Sequence, residues 1–139
     1  ADLFHVANGA ELRIPIRRLD DLVQARRSGR ILAMQTGFSG SRVALVLTAI
    51  SELARNILTY AGCGEIILSQ IDQQTRKSIV VIAADQGPGI ADVSSALDQS
   101  TATAHDCRGL NGLRTCMDDF RIESRPGVGT QVTCEVRSV

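Results

Sequence analysis

An apolar stripe with helical spacing, from Val43 to Leu58, limits the folds open to this chain more than any other feature. Its members recur three or four residues apart, on one face of a helix: Val43, Val46, Leu47, Ile50, Leu53, Ala54, Ile57 and Leu58. Ser39 or Ser41 can cap the start of this helix, and Gly62 or Gly64 can end it. A helix that is apolar on one face needs a second layer to cover that face.

Segments with strand-like patterns can supply the second layer. Leu12–Ile16 alternates apolar with polar residues, as a half-buried strand does. Glu65–Ile71 and Ser78–Ala84 follow the long helix, and Asp72–Thr75 between them fits a hairpin loop. Because Ile79–Ala84 is apolar throughout, it is expected as a central strand.

The remaining elements complete an α+β pattern. Asp20 and Asp21 are expected to open a helix that runs to about Met34. A short helix containing Leu113–Met117 follows a polar stretch, and strands containing Phe120–Ser124 and Val132–Val136 close the chain. The order predicts a two-layer α+β sandwich, with helices on one face of a mixed, mostly antiparallel sheet.

Size and charge support one compact domain. The chain has 139 residues and 44% of them are hydrophobic, so residues 1–139 are expected to form a single domain with residues 1–10 as a loose end. Fifteen basic residues balance fifteen acidic ones, and aromatic residues make up only 3%. Nucleic-acid binding is therefore not expected, since it favours a basic excess or stacking aromatics.

The cellular location is predicted from the lack of membrane and signal-peptide patterns and from the cysteines. No apolar run approaches the roughly 20 residues of a membrane helix, and the first residues lack a signal-peptide pattern. The four cysteines, Cys63, Cys107, Cys116 and Cys134, include no Cys-x-x-Cys pair. We therefore expect four reduced thiols in a cytoplasmic protein.

The long helix carries the first of four motifs with chemical potential. Glu52 and Asn56 are four residues apart, so they share the helix face opposite the apolar stripe. A carboxylate can accept a proton, and an amide oxygen can ligate Mg²⁺. Taken alone, the pair also fits an ordinary solvated helix face.

The other three motifs lie in predicted turns. Asp85–Gly89 follows the apolar strand, where a carboxylate can accept from the amino group of a base and glycines allow close approach. Arg108–Leu113 enters a helix, whose N-terminal amides attract phosphate. Gly127–Thr130 lies in the last hairpin. Taken alone, the first and third fit a plain turn better, and the second fits a glycine-assisted helix entry equally well.

The order of the four motifs resembles that of the GHKL ATPase and kinase superfamily, from about Leu12 to Val136. This resemblance implies that the sandwich is of the Bergerat type. Within it, the chain resembles the small bacterial anti-sigma-factor-type serine/threonine kinases. Ile50–Asn56 and Asp85–Asp92 look most like the switch kinase of the stressosome branch. A sensor histidine kinase is a poorer match, because no segment resembles a phosphoacceptor helical hairpin.

The resemblance implies roles for the first two motifs in binding ATP with Mg²⁺. Glu52 would be the general base or would orient the substrate hydroxyl, and Asn56 would hold the Mg²⁺ that bridges the phosphates. Asp85 would accept from the adenine amino group, while Gly87 and Gly89 would shape the adenine pocket.

The resemblance also places an ATP lid before the short helix. Its implied members in that helix entry are Gly109, Leu110 and Gly112. Ser100–Arg108 contains none of the additional glycines usual in this family, so the lid should be stiffer. Arg108 or His105 could compensate by side-chain charge. In the last hairpin, Thr130 would support the adenine base through water, on a turn shaped by Gly127 and Gly129.

The implied function is an Mg-ATP-dependent protein serine/threonine kinase in a partner-switching pathway. Its substrate would be a Ser or Thr of a STAS-domain antagonist, and it could also bind a sigma factor or a PP2C-type phosphatase. A homodimer is common in the family. The glycine-poor lid leaves open a non-catalytic or nucleotide-gated partner-binding module, and a free ATP hydrolase or gyrase-type fragment is a third reading.

Overall fold

A computed structural model describes residues 11–73, 75–91, 93 and 107–138. The predictions made for residues 1–10 and for most of the lid, His105 included, lie outside these ranges. The described elements are β1 (Glu11–Ile16), α1 (Leu19–Thr36), α2 (Gly40–Asn56), a π-helix (Ile57–Ala61), β2 (Gly64–Gln73), β3 (Arg76–Asp85), α3 (Gly109–Cys116), β4 (Asp119–Arg125) and β5 (Gly129–Arg137).

The five described strands form one sheet in the order β1-β2-β3-β5-β4, and all four pairings are antiparallel. The predicted α+β sandwich is confirmed, and the apolar strand β3 lies in its centre as expected. β2 reaches Gln73, two residues into the segment predicted as a loop, and β3 begins at Arg76, two residues before its predicted start. The sheet thereby places the end of β3 next to the start of β5.

The core lies between the helices and one face of the sheet. Alternate residues of β2, β3 and β5 point into it, as the twofold period of strands requires. Fully buried members include Ile66, Leu68, Ile79, Val81, Cys134 and Val136. Val46, Ile50 and Leu53 of α2 pack in the same cluster, so the apolar stripe is buried as predicted.

Helix α1 is held at its start and at its middle. The Asp21 carboxylate accepts from the backbone N–H groups of Arg17 and Arg18, at 2.8 and 3.0 Å. These two hydrogen bonds hold the pKa of the Asp21 carboxyl below its ordinary value. Further along, a Cβ on Gly29 would lie 2.3 Å from Ile50 Cδ1, so Gly29 is the close contact between α1 and α2.

Helix α2 continues through the π-helix, and Gly40–Ala61 together are 22 residues long with a mean hydropathy of 1.3 in their best window. By length and composition alone such a segment could cross a bilayer, although charged residues such as Arg42, Glu52 and Arg55 interrupt its apolar run. Its buried residues, among them Ile50 and Leu53, pack in the core cluster with residues of the sheet, as those of a central core helix do.

The expectation of four reduced thiols is also wrong. Cys107 and Cys116 form a disulfide, with their Cα atoms 5.8 Å apart. Cys63 is a free, exposed thiol and Cys134 a free, buried one. Cysteine spacing could not reveal this bond, because it depends on a short helix that brings two residues nine positions apart together.

Candidate functional site

The site is built at the edge of the sheet where β3 ends and β5 begins. Asp85, the last residue of β3, pairs with Thr130 of β5 on one side and with Gly64 of β2 on the other. Gly129 adjoins this pair, and a Cβ there would lie 2.1 Å from the Asp85 carbonyl oxygen. Glycine at position 129 therefore lets the last hairpin pack directly against the Asp85 backbone.

The Asp85 carboxylate organises the turn that follows it. Its Oδ1 accepts from the Gly87 backbone N–H at 2.9 Å. Gly87 in turn packs on the π-helix, where a Cβ would lie 2.6 Å from that of Ala61. Since a carboxylate has two oxygens with several lone pairs, Asp85 keeps acceptor capacity for a ligand amino group.

Two further glycines join the Asp85 turn to the last hairpin. Gly89 has φ +77°, and a Cβ there would lie 2.3 Å from the Arg125 carbonyl oxygen. Gly127 also has φ +77° but has open space around it, and its N–H donates to the Pro88 carbonyl oxygen at 2.7 Å. The motifs at 85–89 and 127–130 are thus one packed unit.

Ser124 ties this unit together, and it was not among the predicted site residues. Its hydroxyl lies 2.8 Å from that of Thr130 and accepts from the Ile90 N–H at 2.6 Å. Strand alternation puts Ser124 on the same face of β4 as Phe120 and Ile122, but it gives no sign of these partners. A hydrogen bond thus connects the Thr130 hydroxyl to Ser124.

Glu52 lies at the start of α3, the second part of the site. Its Oε1 accepts from the Gly109 backbone N–H at 3.0 Å, so the carboxylate satisfies the first amide of that helix. Its Oε2 accepts from the Arg55 guanidinium at 2.5 Å. Only 19% of the Glu52 side chain is exposed, against 59% for Arg55. The motif order did not reveal Arg55 as a partner, although opposite charges at i and i+3 favour such a pair.

Asn56 is the last residue of α2, one turn beyond Glu52. It is half-buried, and no other residue in the described ranges hydrogen-bonds to its side chain. The helix then widens into the π-helix, which closes with the Gly62 N–H donating to the Ile57 carbonyl oxygen at 2.8 Å. π-Helical turns are rare and often occur at functional sites. Here the turn brings Ala61 against the Asp85 turn.

The described part of the lid is the entry to α3. Arg108 is exposed, and its carbonyl oxygen accepts from the Gly112 N–H at 3.1 Å. Gly112 is buried, and a Cβ there would lie 2.6 Å from the Cys107 carbonyl carbon. Leu110 packs against the core cluster, so its side chain helps to fix α3.

The predicted residues therefore form two groups joined by the end of α2. Contacts join Asp85, Gly87, Gly89, Gly127, Gly129 and Thr130 in one group, and Glu52 to Gly109 in the other. Asn56 and the π-helix follow Glu52 along the chain, and Ala61 of the π-helix adjoins Gly87.

These groups can be tested for their fit to ATP and Mg²⁺. Asp85 offers an acceptor at a strand end, Gly109 an amide at a helix N-terminus, and Asn56 an amide oxygen at the end of α2. Within the described ranges, no three His, Cys, Asp or Glu side chains come together as a metal site. Mg²⁺ keeps several waters and binds substrate phosphates, so the protein supplies few of its ligands, and the Asn56 amide oxygen can be one of them. The described residues therefore fit both ATP and Mg²⁺.

A comparison with protein families matches residues 17–135 to the histidine kinase-like ATPase domain, and the chain belongs to this family. The resemblance found from the four motifs is thereby confirmed. Among curated proteins, the serine/threonine-protein kinase RsbT of Bacillus subtilis (strain 168) is 42% identical to this chain over 113 residues. The match covers 81% of this chain and 85% of the relative.

Proposed function

We propose that this chain is an Mg²⁺-ATP-dependent protein serine/threonine kinase of a partner-switching pathway. The observation that carries the proposal is the placement of the Glu52 carboxylate at the first amide of α3, one turn before Asn56. The 42% identity to a relative named as a serine/threonine-protein kinase supports the same reaction.

In this proposal the Asp85 group recognises the adenine. The Asp85 carboxylate accepts a hydrogen bond from the adenine amino group. It has room for this bond because the Gly87 N–H occupies only one of the lone pairs of the carboxylate. Gly87 and Gly89 have no side chains, so the adenine base can approach the backbone of the turn closely. Thr130, beside Asp85 in the sheet, supports the base through water on the turn formed by Gly127 and Gly129.

The Glu52 group serves the phosphates and the acceptor hydroxyl. Bound Mg²⁺-ATP supplies the transferable phosphoryl group and an ion that neutralises its charge. Asn56 would ligate the ion. Once Glu52 leaves the Gly109 N–H, that amide would attract the phosphates together with the Arg108 side chain, while Leu110 and Gly112 fix the segment. Glu52 accepts the proton of the substrate hydroxyl as general base.

The substrate in this proposal is a Ser or Thr of a STAS-domain antagonist. Phosphorylation adds about two negative charges and so changes the antagonist's binding to its partners. The kinase would then bind a sigma factor or a PP2C-type phosphatase, acting in the cytoplasm and as a homodimer. The identity to a kinase gives no support to the alternative, a partner-binding module without catalysis.

The test is transfer of labelled phosphate from ATP to the cognate STAS-domain protein by the wild type and by Glu52→Gln. Glutamine keeps an oxygen for the Gly109 N–H but cannot act as a base, so the rate should fall by about 10²–10⁴-fold. Glu123→Gln, on the exposed face of β4, is the matched control and should transfer at the wild-type rate. A Glu52→Gln protein with the wild-type rate would contradict the role of Glu52.

A further inference from the structure

The disulfide between Cys107 and Cys116 spans the whole of α3. Cys107 lies two residues before the first residue of this helix, and Cys116 is its last residue. Both residues are half-buried, so small oxidants and thiol reductants can reach them. The bond therefore joins the segment that enters α3 to the far end of the same helix.

Cys107 has φ +52°, which puts a residue with a side chain in the left-handed region. It is the one described residue other than glycine with a positive φ. Its backbone also packs closely on Gly112, the buried glycine of α3. The disulfide and this packing hold Cys107 in a conformation that a free chain would leave.

The position of Cys107 decides where Arg108 and Gly109 lie. Gly109 N–H donates to Glu52 Oε1 at 3.0 Å, so the first amide of the helix already has the Glu52 carboxylate as its hydrogen-bond partner. A phosphate attracted to the same amide would have to displace Glu52 from it. The disulfide and the hydrogen bond between Glu52 and Gly109 are thus both present in the same segment.

We propose that Cys107 and Cys116 are a redox switch that controls the release of Glu52 from the start of α3. The disulfide form holds Gly109 on Glu52 and binds ATP weakly, and the dithiol form releases both groups and binds it more tightly. The effect on ATP rests on the proposed function, whereas the effect on Gly109 does not.

The chemistry of the switch is a two-electron exchange. In the oxidising direction, hydrogen peroxide takes two electrons from the thiols, the S–S bond forms, the O–O bond breaks, and both thiol protons leave in two waters. In the reducing direction, a dithiol reductant attacks one sulfur, its second thiol resolves the mixed disulfide, and both cysteines return as thiols.

The other two cysteines are poor candidates for such exchange. Cys134 is fully buried, and burial raises the pKa of its thiol to about 12, so it stays protonated. Cys63 is exposed but has no bonded cysteine partner in the described residues. Cys63→Ser is therefore the matched control for Cys107→Ser.

The first experiment needs no nucleotide. Oxidised and reduced samples are prepared and verified by their free-thiol count. Amide hydrogen exchange over residues 107–116 is then compared between them. We expect exchange at Gly109 to be about tenfold faster in the reduced protein and in Cys107→Ser, with Cys63→Ser behaving as the wild type. Equal exchange at Gly109 in both redox forms would overturn the proposal.

The second experiment measures ATP affinity with Mg²⁺ in the same samples. The reduced wild type should bind about tenfold more tightly than the oxidised one, and Cys107→Ser should bind tightly in both conditions. Equal affinity in both redox forms overturns the switch and leaves the kinase intact. If neither form binds ATP, the proposed function fails, and the effect of the bond on Gly109 is decided by the exchange data.

Discussion

Cys134 illustrates, at the scale of a residue, how burial changes side-chain chemistry. Desolvation first, and the Asp119 charge second, raise the pKa of its thiol from the ordinary 9.0 to about 12. The unfolded chain therefore loses this proton at lower pH than the folded one. Its contribution to folding stability is complete below about pH 9 and is lost as pH rises towards 12.

We predict that the free energy of unfolding falls above about pH 9 by up to about 1.4 kcal/mol per pH unit through Cys134. Urea unfolding of the wild type and of Cys134→Ala across this pH range measures the contribution of the Cys134 thiol, because the variant has no thiol at this position. Cys63→Ser should keep the wild-type slope. Identical slopes for the wild type and Cys134→Ala would contradict the assignment.

Single residues also mark the limit of sequence-based prediction here. Glu52, Asn56 and Asp85 could be selected because their motifs occur in order along the chain. Ser124 and Arg55 could not be, because their hydrogen bonds depend on rotamers and on strand register. The Cys107–Cys116 bond escaped prediction for the same reason, since it needs the short helix between them.

At the scale of elements, the site depends on two turns that pack against each other. Gly89 and Gly127 have the same φ of +77°, but a Cβ would meet the Arg125 carbonyl oxygen only at Gly89. We predict that Gly127→Ala costs about 1–2 kcal/mol of stability, from the left-handed backbone alone. Gly89→Ala should cost about 1–3 kcal/mol more, because backbone atoms must move.

Urea unfolding of the two glycine variants measures this difference directly. Since the backbone strain is common to both, the gap between them reports the packing of the Asp85 turn on the last hairpin. Equal losses of stability would mean that the hairpin moves aside at little cost, and the close contact at Gly89 would then not fix the turn.

The boundaries of elements were predicted less well than their order. The pattern from Val43 to Leu58 predicted one continuous helix. The structure instead ends α2 at Asn56 and continues as the π-helix Ile57–Ala61. Side-chain periodicity hardly distinguishes one widened turn from a regular one, so the contact between Ala61 and Gly87 was not expected.

At the scale of the whole molecule, the two-layer fold was predictable because the apolar pattern has one consistent solution. The stripe of α2 and alternate residues of β3 and β5 meet in one core, and all are buried as their periods require. This fold fixes the distances between motifs that are far apart in sequence. It brings residues 85–89 and 127–130 together and places Glu52 beside Gly109.

We propose that this assembled edge of the sheet binds adenine through Asp85. Asp85→Asn keeps an oxygen for the Gly87 N–H, so the turn should survive, but the stronger charged acceptor is lost. Asp72→Asn, at the exposed end of β2, is the matched control.

The most direct measurement is calorimetric titration of these three proteins with ATP in the presence of Mg²⁺. We predict that the reduced wild type and Asp72→Asn bind alike, and that Asp85→Asn loses about 1–3 kcal/mol of binding free energy. Binding by Asp85→Asn that equals that of the wild type would contradict the adenine site, and no binding by the reduced wild type would contradict the kinase itself.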